Sequence, residues 1–391
     1  MTQTVQVPAD SDALSAPALN IVGVDPELGF GGGESQVLGL TLALADGGHR
    51  AELICDPEGQ LQERATAAGI KCHPLHIRNA IDITAGIKMR VILNRERFDV
   101  VHFHTSRAHS MAPFARGFGR SLVVTRRMDY RPNRVFAPYL YNRAVDGVIA
   151  ISSGVADSLV AAGVNRDRIT IAHSGVDCER FRPPTREERA DARSELEIAD
   201  SEFLVSAIGA LEARKGQLHL IQAVGALASK QNFANVRCVI AGQGLIGDTL
   251  KREIWLVRCV ERIKLIGRIE DPRKLLWASD VFAMPSLKEG LGVAALEAMA
   301  SGLPVIASDV GGLREAVVHE RTGIIVPPAN PAAIASAIAR LAESSELRAQ
   351  MGAAGRARVV ENYSMKEMAA QTLALYRECV RRMREARGVV G

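Results

Sequence analysis

The chain of 391 residues reads as an α/β protein of two Rossmann-like domains facing a central cleft. Three observations predict this. Apolar runs of strand length recur along the whole sequence, helical segments separate them, and the length suits two domains of ordinary size. Strand alternating with helix implies parallel sheets covered on both faces.

Residues 1–17 are polar, with neither a basic start nor an apolar run, and read as a flexible tail rather than a signal peptide. The first domain, 18–182, carries six strand-like runs at 20–25, 51–56, 100–104, 122–125, 147–151 and 169–173. Arg182-Pro183-Pro184 then breaks regular structure. The second domain, 183–363, opens on a polar helix within 185–200. Its six runs lie at 203–209, 236–242, 263–267, 281–285, 304–308 and 323–326. The last segment, 364–391, has helical periodicity at Met365, Met368, Ala369, Leu373, Tyr376 and Val380, and reads as an arm crossing back to the first domain.

Composition narrows the function. Apolar residues at 47% and charged residues at 24% describe an ordinary globular chain. A net charge of +4 and 4% aromatics argue against nucleic acid as a partner. No apolar run reaches membrane-spanning length. The six cysteines are scattered, with no Cys-x-x-Cys pair, which implies a reduced compartment and no zinc site. Charge is uneven, however. Between Arg107 and Arg143 arginines outnumber the single acid, Asp129, and phenylalanine and tyrosine are interleaved with them. Such a segment is a solvated basic surface, a phosphate-rich acceptor site or a contact for an anionic membrane surface.

The most informative stretch runs from Met284 to Pro304. It places Glu289 and Glu297 around the start of a helix that follows the strand at 281–284. Eight helical residues span about 12 Å, comparable to the reach from a sugar across a diphosphate to a ribose. One carboxylate can accept hydroxyls of the sugar, the other those of the ribose. Gly290 and Gly292 let backbone approach a ligand, and the helix start favours the anion between. The plain alternative is two surface glutamates beside a helix start.

Arg214 and Lys215 follow the strand at 203–209. Cations there neutralise a diphosphate and the charge growing on a leaving nucleotide; otherwise Lys215 is an exposed helix-start lysine. Gly29-Phe-Gly-Gly-Gly-Glu-Ser35 opens a helix after the first strand, where backbone can lie against phosphate or sugar. It is not a dinucleotide fingerprint, since Glu34 stands where the third glycine belongs. His102, His104 and His109 cluster at the end of the third run without a nearby acid to complete a metal site. His104 and His109 read as acceptor contacts or as structural histidines. Asp10 and Asp12, in the tail, are discounted as a metal-diphosphate site.

Together these residues resemble the family-4 retaining glycosyltransferases of the GT-B fold. The strongest block is Ser279-Asp-Val-Phe-Ala-Met-Pro-Ser-Leu-Lys-Glu-Gly-Leu-Gly-Val-Ala-Ala-Leu-Glu-Ala-Met-Ala-Ser-Gly-Leu-Pro304, continuing to Glu315, with Thr322-Gly323 after it. The turn ending in Glu34, Asp99-Val-Val-His-Phe-His104, Ser174-Gly-Val-Asp177 with Arg180-Phe181, and Gly242-Gln-Gly244 support it. The resemblance implies that Glu289 holds donor-sugar hydroxyls beside the amides of Gly290, Leu291 and Gly292. Glu297 would hold the ribose, Lys215 the diphosphate, and Arg268 and Ile269 would lie near the base. Gly31 and Gly32 would approach the phosphate from the other domain. Glu34, His104, His109 and Arg127 would serve the acceptor. No metal or other cofactor is implied, and domain closure would complete the site.

Two departures stand out. The family often has Gly-Arg-Leu before its lysine; here it is Gly209-Ala-Leu211, so Arg214 would have to supply the missing charge. Many members carry a histidine after the fourth strand; here Arg127 takes its place in Thr125-Arg-Arg-Met-Asp129. Arginine cannot act as a base at neutral pH, but it can hold a phosphate or carboxylate of the acceptor. The expected activity is transfer of a sugar, with retention, from a nucleotide-diphosphate donor to a hydroxyl of a glycan or glycolipid. The expected setting is cytoplasmic and peripheral on the inner face of the plasma membrane, in cell-surface glycan or lipopolysaccharide-type assembly. A sugar-nucleotide epimerase and a noncatalytic sugar-nucleotide-binding subunit are the alternatives.

Overall fold

The structure, a computed structural model, describes residues 17–117, 119–128 and 133–388; Asp10, Asp12 and nearly all of the expected tail lie outside them. Two compact units divide the chain. The first takes in residues up to Ile151, then Ala156–Gly175, and resumes at Met365; the second comprises Ser152–Val155 and Val176–Ser364.

In the first unit seven parallel strands lie in the order β3-β2-β1-β4-β5-β6-β7. They are β1 Asn20–Asp25, β2 Arg50–Cys55, β3 Cys72–Pro74, β4 Val100–Phe103, β5 Ser121–Arg126, β6 Gly147–Ala150 and β7 Ile169–Ile171. Central strands are buried along nearly their whole length, as sheets covered on both faces require. Strand β3 is the one that periodicity does not reveal. Its three residues, Cys-His-Pro, sit on the sheet edge and are only partly buried, so no apolar run marks them. Right-handed crossovers put helices Gly32–Asp46 and Gln60–Ala67 on one face and Ile83–Glu96 and Ala112–Ala115 on the other. The C-terminal helix Met365–Ala386 packs against helix Gly32–Asp46 and strands β5 and β6. Its Met368, Ala369, Tyr376, Cys379 and Val380 join Leu40, Leu44, Val100, Val123 and Ile149 in one core, and the stripe at i, i+3, i+4 spacing makes this possible.

The second unit holds six parallel strands in the order β10-β9-β8-β11-β12-β13: β8 Phe203–Ile208, β9 Val236–Ala241, β10 Ile263–Leu265, β11 Val281–Met284, β12 Val305–Ser308 and β13 Gly323–Val326. All six match apolar runs of the sequence. Helix Arg186–Glu195 opens the unit with a capping box, in which the Thr185 hydroxyl accepts from the Glu188 N–H and the Glu188 carboxylate accepts from the Thr185 N–H. Val205, Leu220, Val224, Ile240, Val281 and Ile338 lie at the centre of its largest core.

Candidate functional site

In each sheet the strand order reverses once, beside β1 and β4 in the first unit and beside β8 and β11 in the second. A ligand crevice forms beyond the carboxyl ends at such a switch point, because the flanking loops diverge there. The chemistry-bearing residues emerge at these two places.

In the second unit, Lys215 leaves the β8 loop and Glu289 the β11 loop. They meet: Lys215 Nζ donates to Glu289 Oε2 at 2.5 Å, and both side chains are largely buried. Ser286 Oγ also donates to that oxygen, at 3.4 Å, while Oε1 has no partner among the described residues. The loops are tied by Leu287 N–H donating to the Arg214 carbonyl at 2.7 Å. Gly216 makes that approach possible. Its φ is +68°, and a Cβ there would stand 2.0 Å from the Pro285 carbonyl oxygen. Helix Val293–Ala300 begins after Gly292, whose φ is +89°, and no side chain caps it. The Ala295 N–H donates to the Gly292 carbonyl at 2.9 Å, while the amides of Val293 and Ala294 have no partner among the described residues, with the positive end of the dipole behind them.

Glu297 lies further along that helix, half-buried, and its carboxylate has no hydrogen-bond partner among the described residues. Burial pushes its pKa up to about 7, against the pull of Arg180, with Asp271 adding to the rise. An acceptor of hydroxyl protons is thus held ready without a protein partner. Arg214, by contrast, gives its Nε to Glu212 Oε2 at 2.6 Å. Only its Nε is engaged; its two Nη atoms have no hydrogen-bond partner among the described residues. Arg268 is exposed beyond β10, and Ile269 packs into a small core with Leu204, Val239 and Leu275.

In the first unit, Gly31 precedes helix Gly32–Asp46, and a Cβ at Gly32 or Gly33 would meet nothing within 4 Å. Glu34 turns back to cap this helix, its Oε2 accepting from the Gly31 N–H at 2.7 Å, and its charge also acts on Asp25 and Arg127. His109 is likewise occupied: buried, it pairs Nδ1 with the Tyr141 hydroxyl and Nε2 with the Thr125 carbonyl, both at 3.1 Å. Burial, with Arg126 nearby, lowers its pKa to about 3. Both nitrogens are spent inside the protein, which makes it a brace for β5 rather than a ligand contact. His102 is similar, bonded to the Tyr376 hydroxyl at 2.5 Å and Thr125 Oγ1 at 2.6 Å.

His104 differs. It stacks on His102 with ring centroids 3.9 Å apart, fills the space that Gly23 leaves open, and its buried Nδ1 has no hydrogen-bond partner among the described residues. Burial and then His102 and Arg127 hold it neutral, far below the usual histidine range. Arg127 stands nearby with a buried Nε and no hydrogen bond among the described residues. Burial lowers its pKa to about 10, opposed by Asp25 and Glu34. Asp25, at the end of β1, has one oxygen on the Glu27 N–H and the other buried and unpaired. Its pKa rises to about 7, chiefly through burial, with Glu34 and Glu27 adding to it and Arg127 opposing. Motif reading passed over Asp25; its signal was an acid closing the first strand, where the sheet order reverses.

Among the described residues, Glu52, His73 and Glu96 could approach one cation. Arg50 and Lys71 already pair with its acids, and the group lies toward the amino ends of β2 and β3, away from the crevice of the first unit.

Two units, each a parallel sheet covered by helices and reversing its strand order once, define the GT-B architecture. The chain belongs to the glycosyltransferases: residues 30–180 match the model described as Glycosyltransferase Family 4 and residues 188–358 that of Glycosyl transferases group 1. An uncharacterized glycosyltransferase of Methanocaldococcus jannaschii is 27% identical over 309 residues, covering 73% of this chain and 77% of the relative. A D-inositol 3-phosphate glycosyltransferase of Corynebacterium glutamicum is 34% identical over 226 residues, 55% of this chain and 52% of that one; the match thus spans about half of that relative. Among solved structures, Anabaena HepE in complex with UDP and glucose aligns with a TM-score of 0.81 at 21% identity, covering 92% of this chain and 100% of that one. A glycosyltransferase from Rickettsia africae gives 0.83 at 22%, over 93% and 99%. These neighbours share the GT-B fold with this protein.

Proposed function

We propose that this glycosyltransferase moves a sugar from a nucleotide-diphosphate donor to a hydroxyl of a glycan or glycolipid, retaining the anomeric configuration and needing no metal. The observation that carries this is the crevice beside β8 and β11. There Lys215 and Glu289 are paired, and Glu297 has no hydrogen-bond partner among the described residues, on a helix that no side chain among them caps. The crystal structure of HepE with UDP and glucose supports a donor of this class. In the reading we favour, Glu289 Oε1 takes sugar hydroxyls, Lys215 and the amides at Gly290–Gly292 take the diphosphate, and Glu297 takes the ribose. Arg268 and Ile269 lie toward the base.

The bond from the sugar's anomeric carbon to the diphosphate oxygen breaks, and a bond from that carbon to the acceptor oxygen forms on the same face. The acceptor proton passes to a phosphate oxygen of the departing nucleotide, so no protein nucleophile or base is required. Arg127, with no hydrogen bond among the described residues, serves the acceptor together with His104, and a phosphate or carboxylate on that substrate would meet its guanidinium. Gly31 and Gly32 leave room for phosphate. The reaction is assigned to cell-surface glycan assembly, at the cytoplasmic face of a membrane.

The test is nucleotide release from UDP-, GDP- and ADP-sugars with and without candidate acceptors. Release that depends on acceptor supports transfer; epimerised donor or binding without turnover would replace it with the two alternatives. Glu289→Ala and Glu297→Ala should each cost roughly 1–3 kcal/mol in donor binding or turnover, the scale of charged hydrogen bonds. Unchanged kinetics in both folded variants would remove the site.

A further inference from the structure

Helix Ile83–Glu96 is apolar on both sides. Ala85, Gly86, Met89 and Leu93 face inward. Outward, Ile83, Ile87 and Val91 are 58%, 57% and 62% exposed, and Ile81, just before the helix, is 81% exposed. The spacing of four residues sets the three on one ridge. A helix packed on a globular unit normally turns polar residues to water, so a continuous apolar ridge marks a surface that meets something.

The charges beside the ridge are of one sign. Lys88 and Arg95 are exposed along one flank and Arg90 along the other. The acids at the two ends of the helix are engaged. Asp82 caps it, accepting from the N–H groups of Ala85 and Arg78; Glu96 is held by Arg50 and Lys71. A second apolar patch continues the surface. Gly86 admits the Phe114 ring, so helix Ala112–Ala115 presses onto helix Ile83–Glu96. Helix Ala112–Ala115 in turn touches the turn Leu140–Ala144, which continues from Phe136–Tyr139. Val135, Phe136 and Tyr139 are 78%, 69% and 60% exposed, next to Arg134. All three segments connect strands that advance in one direction across the sheet, so right-handed crossovers put them on one face.

Apolar residues flanked by lysine and arginine are the pattern of a helix lying in a membrane interface, where the ridge enters the acyl boundary and the cations meet anionic headgroups. The buried centre of a protein–protein contact is instead depleted of lysine. We propose that this outer face of the first unit, built on Ile83, Ile87 and Val91 with Lys88, Arg90 and Arg95 beside them, docks on an anionic lipid surface. The proposal deepens the glycolipid-acceptor reading and rests on it for its biological purpose, though the surface itself stands on its own geometry.

Flotation of the full chain with phosphatidylcholine vesicles, and with vesicles containing about a third phosphatidylglycerol, tests this at low and high salt. The anionic vesicles should bind at least tenfold more protein, and high salt should release most of it. Ile83→Ser/Ile87→Ser/Val91→Ser and, separately, the surface pair Lys88→Glu/Arg95→Glu should each lower binding at least tenfold, with an unchanged unfolding midpoint for the charge pair. Titration of the same samples with UDP-glucose and GDP-mannose keeps the two readings apart, because docking variants should match the wild type there. Vesicle binding without nucleotide binding would sink the donor reading and leave the docking surface intact. Equal binding to both vesicle types, or wild-type binding by both variants, would overturn the docking surface. So would a wild type that ignores vesicles, with an oligomer by light scattering that the serine variant dissociates.

Discussion

Glu297 shows how a binding group can work against the unliganded fold. Its pKa of about 7 lies above that of an exposed glutamate, because burial disfavours the ion. Folding therefore prefers the protonated acid. The associated stability is fully present below the unfolded carboxylate's range, near pH 4.5, and is lost as pH rises through 7. Glu297→Gln should accordingly stabilise the ligand-free protein at pH 8 by about 1–3 kcal/mol and change little at pH 4.5, as denaturant melts at the two values will show. The same variant should bind nucleotide-sugar more weakly at pH 8. Wild-type affinity should fall between pH 8 and 6, and the variant should flatten that dependence. Arg127 and Asp25 are the corresponding pair of strained groups in the first unit. Arg127 could be singled out in the sequence only through a resemblance, because nothing in Thr125-Arg-Arg-Met says which of two arginines is left without a partner.

At the scale of elements, loops are held where glycine lets backbone meet backbone. Gly216→Ala would put a Cβ against the Pro285 carbonyl in a left-handed conformation. Strain of about 1–2 kcal/mol for the backbone alone, with the clash added, should lower stability by roughly 2–4 kcal/mol. It should also separate Lys215 from Glu289, readable as lost donor binding in the fraction that stays folded. The C-terminal helix is a second case. Its Tyr376 is wholly buried and donates to or accepts from His102, so Tyr376→Phe leaves a buried imidazole nitrogen unpaired and should cost about 1–3 kcal/mol in equilibrium unfolding. The periodicity of this helix was plain in the sequence, and so were twelve of the thirteen strands among the described residues. Strand β3 escaped because an edge strand of three residues, two of them histidine and proline, needs no apolar pattern. Helix Ile83–Glu96 carries apolar residues on two opposite faces, so its sequence does not say which of them stays exposed.

At the scale of the molecule, both units use one device, a crevice where a parallel sheet reverses its order. Each crevice carries its own charge: Lys215 in the second unit, Arg127 in the first. If these cations supply the electrostatic stabilisation of a leaving diphosphate and an anionic acceptor, turnover should be unaffected by chelators. Activity lost to chelation and restored by a divalent ion would place a metal in the step instead. Among the described residues no helix is long and apolar enough to cross a membrane.

The sequence alone determined the alternation of strands and helices, the helix start flanked by Glu289 and Glu297, and the loop that carries Lys215. These are readable because each depends on residues close together in the chain. Only the tertiary structure decided that Lys215 meets Glu289 across 74 positions, that Arg214 pairs with Glu212, Glu34 caps its own helix and both nitrogens of His109 are engaged, and that Asp25, His104 and Arg127 keep atoms unpaired among the described residues at one crevice. Those facts depend on which strands become neighbours and on which polar groups find partners once buried, and neither is written in local spacing.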